Sequence, residues 1–325
     1  MYSIPDWQRD LRFLGGSRDA EQALIDKYEI EIRTVARTSG VDNGVIMRAQ
    51  HAKMLAGFSS ASFRIASDVP EDLQVGFLTP DAKYKSEVRF SNAASSVAAS
   101  DAKSDLRGVA FRVLLGHDEQ IDFLMTNANR HHARDAEEAM ATTVAFAVNG
   151  PLRKLRGILR LARRVGVSAA FRIVRTLKAQ MSVPVESIAT ETFYSRAPLV
   201  IGSTAVKYGL RPTVNKSSHP RAEADLSSEL LGRLKSGDVT FDFQVQLYVD
   251  KNLTPVEDAT VEWEAPFITI ATLTIPHESE SDIRIERQAF NPWNVPSDDF
   301  TPIGSMNRAR LRVYEASASL RAAGL

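Results

Sequence analysis

The sequence predicts an α+β fold: an antiparallel β-barrel with helices packed outside it. Three observations carry that expectation. Strand-like segments come in two blocks, so the order is helix, strands, helices, strands, helix, which argues against a doubly wound sheet. Phe241, Phe243, Val245, Leu247 and Val249 alternate with Asp242, Gln244, Gln246 and Tyr248, one face apolar and one polar, as in an antiparallel sheet or barrel. The 325 residues, 44% hydrophobic and 25% charged, suit one large domain, with no linker or low-complexity stretch to divide them.

The elements follow in order. Residues 1–40 form an amino-terminal helical segment, in which Ala20, Leu24, Tyr28, Ile32 and Val35 recur at helical steps over 18–37. Residues 41–135 supply the first half of the barrel, with short strands at Ala61–Ala66, Glu87–Ser91, Gly108–Leu115 and Gln120–Met125 separated by Asp, Pro, Gly and Ser clusters. Residues 136–180 are a helical insertion, Ala-rich at first and basic after Gly150-Pro151. Its basic run from Arg153 to Lys178, interspersed with Leu, Ile, Val and Phe, reads as the solvated face of two packed helices. Residues 185–290 complete the barrel, with Phe241–Val249 and an Ile- and Thr-rich strand at 266–275. The last helix spans 301–323, with Thr301 as cap, Pro302 in the first turn and Gly324 as terminator. Arg310 and Tyr314 lie four residues apart on one face of it. A neighbouring cation favours a tyrosinate, which is a hard anionic ligand.

Composition narrows the function. Lys+Arg and Asp+Glu are equal at 40 each, so no global field points to nucleic acid or an anionic membrane. With no cysteine, disulfides, thiolate nucleophiles and thiolate metal sites are excluded. Met1–Trp7 shows no basic stretch followed by an apolar one, and no run approaches the ~18 apolar residues of a membrane span. The expectation is a soluble, cytoplasmic chain with neither nucleic-acid nor membrane partners.

Chemistry-bearing residues concentrate in a few segments. His51, one of six histidines, sits in Arg48-Ala49-Gln50-His51-Ala52-Lys53. Val88-Arg89-Phe90-Ser91 is a strand with Arg89 and Ser91 on one face. Asp105-Leu106-Arg107-Gly108 is a turn into a strand, and Asp122–Asn129 ends in polar amides before a helix. His131 and His132 are adjacent, so their side chains should diverge, which favours a solvated pair over a metal site.

These segments, in this order, resemble the catalytic half of the haem catalases. Ile285-Glu286-Arg287-Gln288-Ala289-Phe290-Asn291-Pro292-Trp293-Asn294 looks like their segment leading to the proximal helix, and Arg310-x-x-x-Tyr314 falls where that helix carries its iron ligand. The resemblance spans roughly 45 to 316 and is weak over 140–240. It implies an eight-stranded barrel with haem b between barrel and last helix. Tyr314 would ligate the iron and Arg310 would hold it as tyrosinate. Arg48 and Arg89 would pair with propionates, to which guanidinium is suited. His51 would be the acid–base, oriented by Ser91, with Asn127 the distal amide.

Departures accompany the matches. The family's Asn-Asn-Thr-Pro is Thr126-Asn127-Ala128-Asn129 here, so Thr126, Asn127 and Asn129 all remain open as the distal group. A Phe pair becomes His131-His132, and Ala139 or Met140 stands where an aromatic normally stacks on haem. Met54-Leu55-Ala56-Gly57 replaces a Gly-rich run, and the sequence shows no long amino-terminal arm, little of the wrapping segment and no flavodoxin-like domain. The implied function is a minimal catalase with peroxidase activity, acting on peroxide with a small organic reductant. NADPH binding is left open with the balance against it, and the subunit number is left between monomer, dimer and the family's tetramer. The alternatives are an organic-hydroperoxide peroxidase, an enzyme resembling the allene oxide synthases (which carry Thr where this chain has Ala49), and a non-catalytic haem- or lipid-binding barrel.

Overall fold

The computed structural model describes residues 6–39, 41–42, 45–46, 48, 51–93, 100–101, 105–147, 151–214 and 225–323. Ala49, His219 and Gly324 lie outside the described residues. The helices are α1 (Asp6–Arg9), α2 (Arg18–Ser39), α3 (Ala136–Phe146), α4 (Pro151–Val165), α5 (Val167–Met181), α6 (Leu226–Leu234) and α7 (Ser305–Ala323). A short pair, β1 (Val41–Asp42) and β2 (Val45–Ile46), precedes the main sheet. That sheet comprises β3 (Met54–Ile65), β4 (Lys83–Asn92), β5 (Arg107–Gly116), β6 (Glu119–Thr126), β7 (Phe193–Tyr194), β8 (Leu199–Ile201), β9 (Thr204–Pro212), β10 (Val239–Leu247) and β11 (Phe267–Ile275).

The expected barrel is present. The order β10-β11-β3-β4-β5-β6-β7-β9 closes as β9 returns to β10, giving eight antiparallel strands with β8 paired outside on β9. Closure removes the free edges an open sheet would expose. The seam between β6 and β7 is thin, resting on the pair Thr126↔Tyr194. Phenylalanines fill the interior: ring centroids of Phe123 and Phe243 are 4.8 Å apart, and those of Phe111 and Phe123 5.0 Å. Side chains therefore fill the lumen, as is usual for eight strands, and a ligand is to be sought outside it.

The alternation expected over 241–249 holds from Val239 to Val245 and then stops. Gln246 is buried because its amide donates to Trp263 O and Ala265 O, and Val249 is half exposed where Asp250 accepts from the Asn252 and Leu253 amides and turns the chain. On α2, Ile25, Tyr28, Ile32 and Val35 form the buried stripe, packed on Ala309 and Ala316 of α7 and Ala136 and Met140 of α3.

The last helix starts later than its sequence suggests. Thr301 donates to Asp298 O at 2.8 Å, and Pro302 forms a bridge with Leu199. Gly304 then takes φ +84°, where a Cβ would lie 2.8 Å from Val256 O. The helix begins at Ser305, whose amide donates to Glu257 Oε2 at 2.7 Å. A carboxylate from another segment thus does the work expected of a threonine cap, and it suits the positive end of the helix dipole.

Candidate active site

The site lies between the mouth of β3–β6 and the inner face of α7. His51 sits on the bend before β3 with φ +56°, a left-handed conformation that histidine tolerates better than most residues. Its amide donates to Ala93 O, and its Nδ1 lies 3.0 Å from Ser91 Oγ. Ser91 pairs with Gly108 across β4 and β5. The imidazole rests on that glycine: a Cβ at Gly108 would lie 2.5 Å from His51 Nδ1 and Cε1. The Arg107-Gly108 motif therefore supplies the seat for the ring.

The His51 side chain is partly buried. Burial lowers its pKa to about 3, and Arg89, Arg196, Arg48 and Arg310 add to the shift. The ring is neutral at physiological pH and able to receive a proton.

Arg48 and Arg89 come together at Glu286. Arg89 donates to His51 O at 2.9 Å and grips Glu286 through Nε and Nη2 at 3.2 and 2.9 Å. Arg48 donates to Glu286 O and Gln288 O. Burial lowers the Arg48 pKa to about 9, with Arg89 and Arg321 contributing. Arg321, which the sequence reading missed, lies seven residues after Tyr314 on the same face of α7, and its pKa is lowered by burial and by Arg89. The signal was available, since seven residues are two helical turns. Three guanidinium groups thus crowd one carboxylate, Glu286. The surplus of positive charge fits a ligand bearing two carboxylates, as haem does.

The segment carrying Glu286 is stapled to the barrel. Arg112 on β5 makes a two-pronged ion pair with Asp122 on β6, at 2.7 and 2.9 Å, and also donates to Gln288 Oε1 and Ala289 O. Asp122 Oδ2 in turn accepts from Asn291 N and Asn294 Nδ2. On α7, Arg310 donates to Asn307 Oδ1, one turn back, and Tyr314 follows on the same face. Tyr314 lies within electrostatic reach of Arg48, and both Arg310 and Tyr314 act on Tyr208 in the barrel wall.

Asn127 has both ends of its amide engaged by protein partners. Its Oδ1 accepts from Arg107 N at 2.9 Å and its Nδ2 donates to Glu191 at 3.2 Å. One end of the amide thus ties the end of β6 to β5, and the other ties it to the segment entering β7. Thr126 is also committed, its hydroxyl accepting from Arg196 Nε at 2.6 Å. Arg196 is buried, and its Nη2 has no hydrogen-bond partner among the described residues. Burial lowers its pKa to about 9, and Arg310 adds to the shift. No sequence motif marks this arginine, which reaches the site only because β7 and β9 close the barrel there.

His131 and His132 are not a solvated pair. Their rings stack with centroids 4.2 Å apart, and burial holds both well below the usual histidine range. The segment is neither helix nor strand, so the alternation that would splay neighbours does not apply. Among the described residues no cluster of three metal-ligating side chains occurs, and no helix is long and apolar enough to cross a membrane.

No protein-family model matches the chain. A catalase-related peroxidase from Mycolicibacterium paratuberculosis is 27% identical over 254 residues, covering 72% of this chain and 77% of that protein. A bacterial catalase structure superposes with a TM-score of 0.66 at 16% identity, covering 94% of this chain and 61% of its own. A fungal catalase gives 0.66 at 17% identity over 85% and 60% of the two chains. Catalase A from Saccharomyces cerevisiae gives 0.69 at 15% identity over 96% and 67%. The chain thus spans about three-fifths of the first two structures.

Proposed function

We propose that this chain, which has the catalase fold and resembles the haem catalases in sequence, is a haem-dependent enzyme that decomposes hydroperoxides. The observation that carries the reading is the charge surplus at Arg48, Arg89 and Arg321 beside a neutral, seated histidine. Arg48, Arg89 and Arg321 would hold the propionates, and Tyr314 would ligate the iron from α7 with Arg310 one turn before it. When bound, haem iron supplies the electrons that break the O–O bond.

The chain's own residues supply the proton handling. His51, neutral and fixed by Ser91 through Nδ1, has Nε2 left to take the hydroperoxide proton. Returned to the far oxygen, that proton turns a poor leaving group into water or alcohol.

One observation favours a peroxidase using a separate reductant over rapid catalase turnover. The amide of Asn127 is engaged in the barrel wall, whereas Arg196, which acts electrostatically on His51, has a donor without a partner among the described residues. A guanidinium stabilises negative charge on a departing oxygen more strongly than an amide does. Haem loading followed by an oxygen electrode tests the choice. Oxygen release from hydrogen peroxide, lost in His51→Ala, marks a catalase. Peroxide loss only in the presence of a phenolic donor marks a peroxidase. A protein that gains no Soret band after haem supplementation contradicts both.

A further inference from the structure

The strongest charge asymmetry lies away from the candidate active site, on α4 and α5. Six of fifteen residues in α4 and three of fifteen in α5 are Lys or Arg, and neither helix contains Asp or Glu. In a chain with no net charge, this is a concentrated basic surface. The cations facing inward are neutralised: Arg164 pairs with Glu31 and Glu137, and Arg172 with Glu138. Arg156, Arg160 and Arg163 face outward, without an ion pair among the described residues.

The same surface is apolar. Leu152, Leu155 and Leu159 of α4 are between 50% and 76% exposed, and Val167 and Phe171 at the start of α5 are 77% and 69% exposed. At 100° per residue the three leucines occupy an arc of about 60°, and Arg163, Arg156 and Arg160 fill the adjoining arc. The opposite side of α4 is docked: Leu161 is buried with Ala141 and Ala145, and a Cβ at Gly157 would lie 2.2 Å from Ala145 O. The leucines therefore point away from a fixed inner face. This departs from the sequence expectation of a plain solvated surface.

We propose that α4 and the start of α5 dock on an anionic lipid bilayer. A second copy of the chain would set like charge against like charge across the contact. A nucleic acid would use the arginines and leave the leucines in water. An anionic bilayer takes both, with leucines entering the acyl boundary and arginines meeting lipid phosphates. The surface would hold the enzyme where membrane-derived peroxides arise, but the docking itself does not depend on the haem assignment.

The test is cosedimentation of the full chain with vesicles. Wild type should pellet with phosphatidylglycerol-containing vesicles and remain in solution with phosphatidylcholine alone, and high salt should weaken the binding. Leu155→Glu with Leu159→Glu should abolish it at unchanged melting temperature, because both positions are exposed. Arg156→Glu with Arg160→Glu should weaken it by about tenfold or more. Wild type that stays in the supernatant overturns the proposal, as does a leucine variant that pellets like wild type. A dimer in solution that the leucine variant dissociates would assign the face to a second copy. Duplex DNA binding that the leucine variant retains would assign it to nucleic acid. Neither activity nor haem content is read, so the outcome is independent of the peroxide reading.

Discussion

His51 depends on a position that has no side chain. Gly108 makes room for the imidazole, so Gly108→Ala should displace the ring while leaving the arginine cluster intact. The expected result is normal haem loading with peroxide turnover lowered by about a hundredfold, the scale of a 1 Å misplacement. His51→Ala should lose turnover to at least that extent, also with the Soret band retained. Arg196→Met addresses the pocket differently. It removes a buried guanidinium with an unpaired Nη2, so the melting temperature should hold or rise, since an unpaired buried charge is costly. Fluoride affinity of the haem-loaded protein, measured by absorbance, should fall by about tenfold or more, the scale of one charge-assisted hydrogen bond. A lowered melting temperature with unchanged fluoride binding would make Arg196 structural. The segments that bring His51, Ser91, Arg48 and Arg89 together were traceable because each is a short motif. Arg196 was not, because barrel closure brings it there from a distant segment.

Among the elements, α7 joins the barrel to the helical layer. Its contact with α2 rests on small residues, with Ala309 and Ala316 buried among Ile25, Tyr28 and Ile32. Ala316→Leu should therefore destabilise the protein by about 1–3 kcal/mol through overpacking, read as a lower urea midpoint. A shift of α7 would also carry Tyr314 and Arg321 away from Arg48, so haem affinity should fall in the same variant. The strands were legible from period-two patterns, but their ends were not. β10 ends early because an Asp250 turn intervenes, and α7 starts late because Gly304 and Glu257 set its first turn. Both boundaries depend on contacts that no local pattern carries. The outward leucines of α4 were illegible for a related reason: helical spacing shows an apolar stripe but not which way it faces.

At the scale of the whole molecule, three histidines held low by desolvation make stability depend on pH. Burial lowers His51 and His132 to about 3, and His131 well below its usual value. The unfolded chain thus binds more protons than the folded one below the usual histidine pKa of about 6.5, so stability is full above that pH and falls as pH drops toward 3. Urea midpoints should decline across this window, and His131→Phe with His132→Phe should flatten the slope; equal slopes in both proteins would contradict the burial argument. The closed barrel with outer helices was legible because two strand blocks bracket a helical insertion. The central claim, that a propionate-bearing haem fits between barrel and α7, is tested most directly by titrating purified protein with haem and following the Soret band. The expected result is saturation at one haem per chain in wild type and greatly weakened binding in Tyr314→Phe. Absence of saturable binding, or a titration unchanged by Tyr314→Phe, would contradict the account.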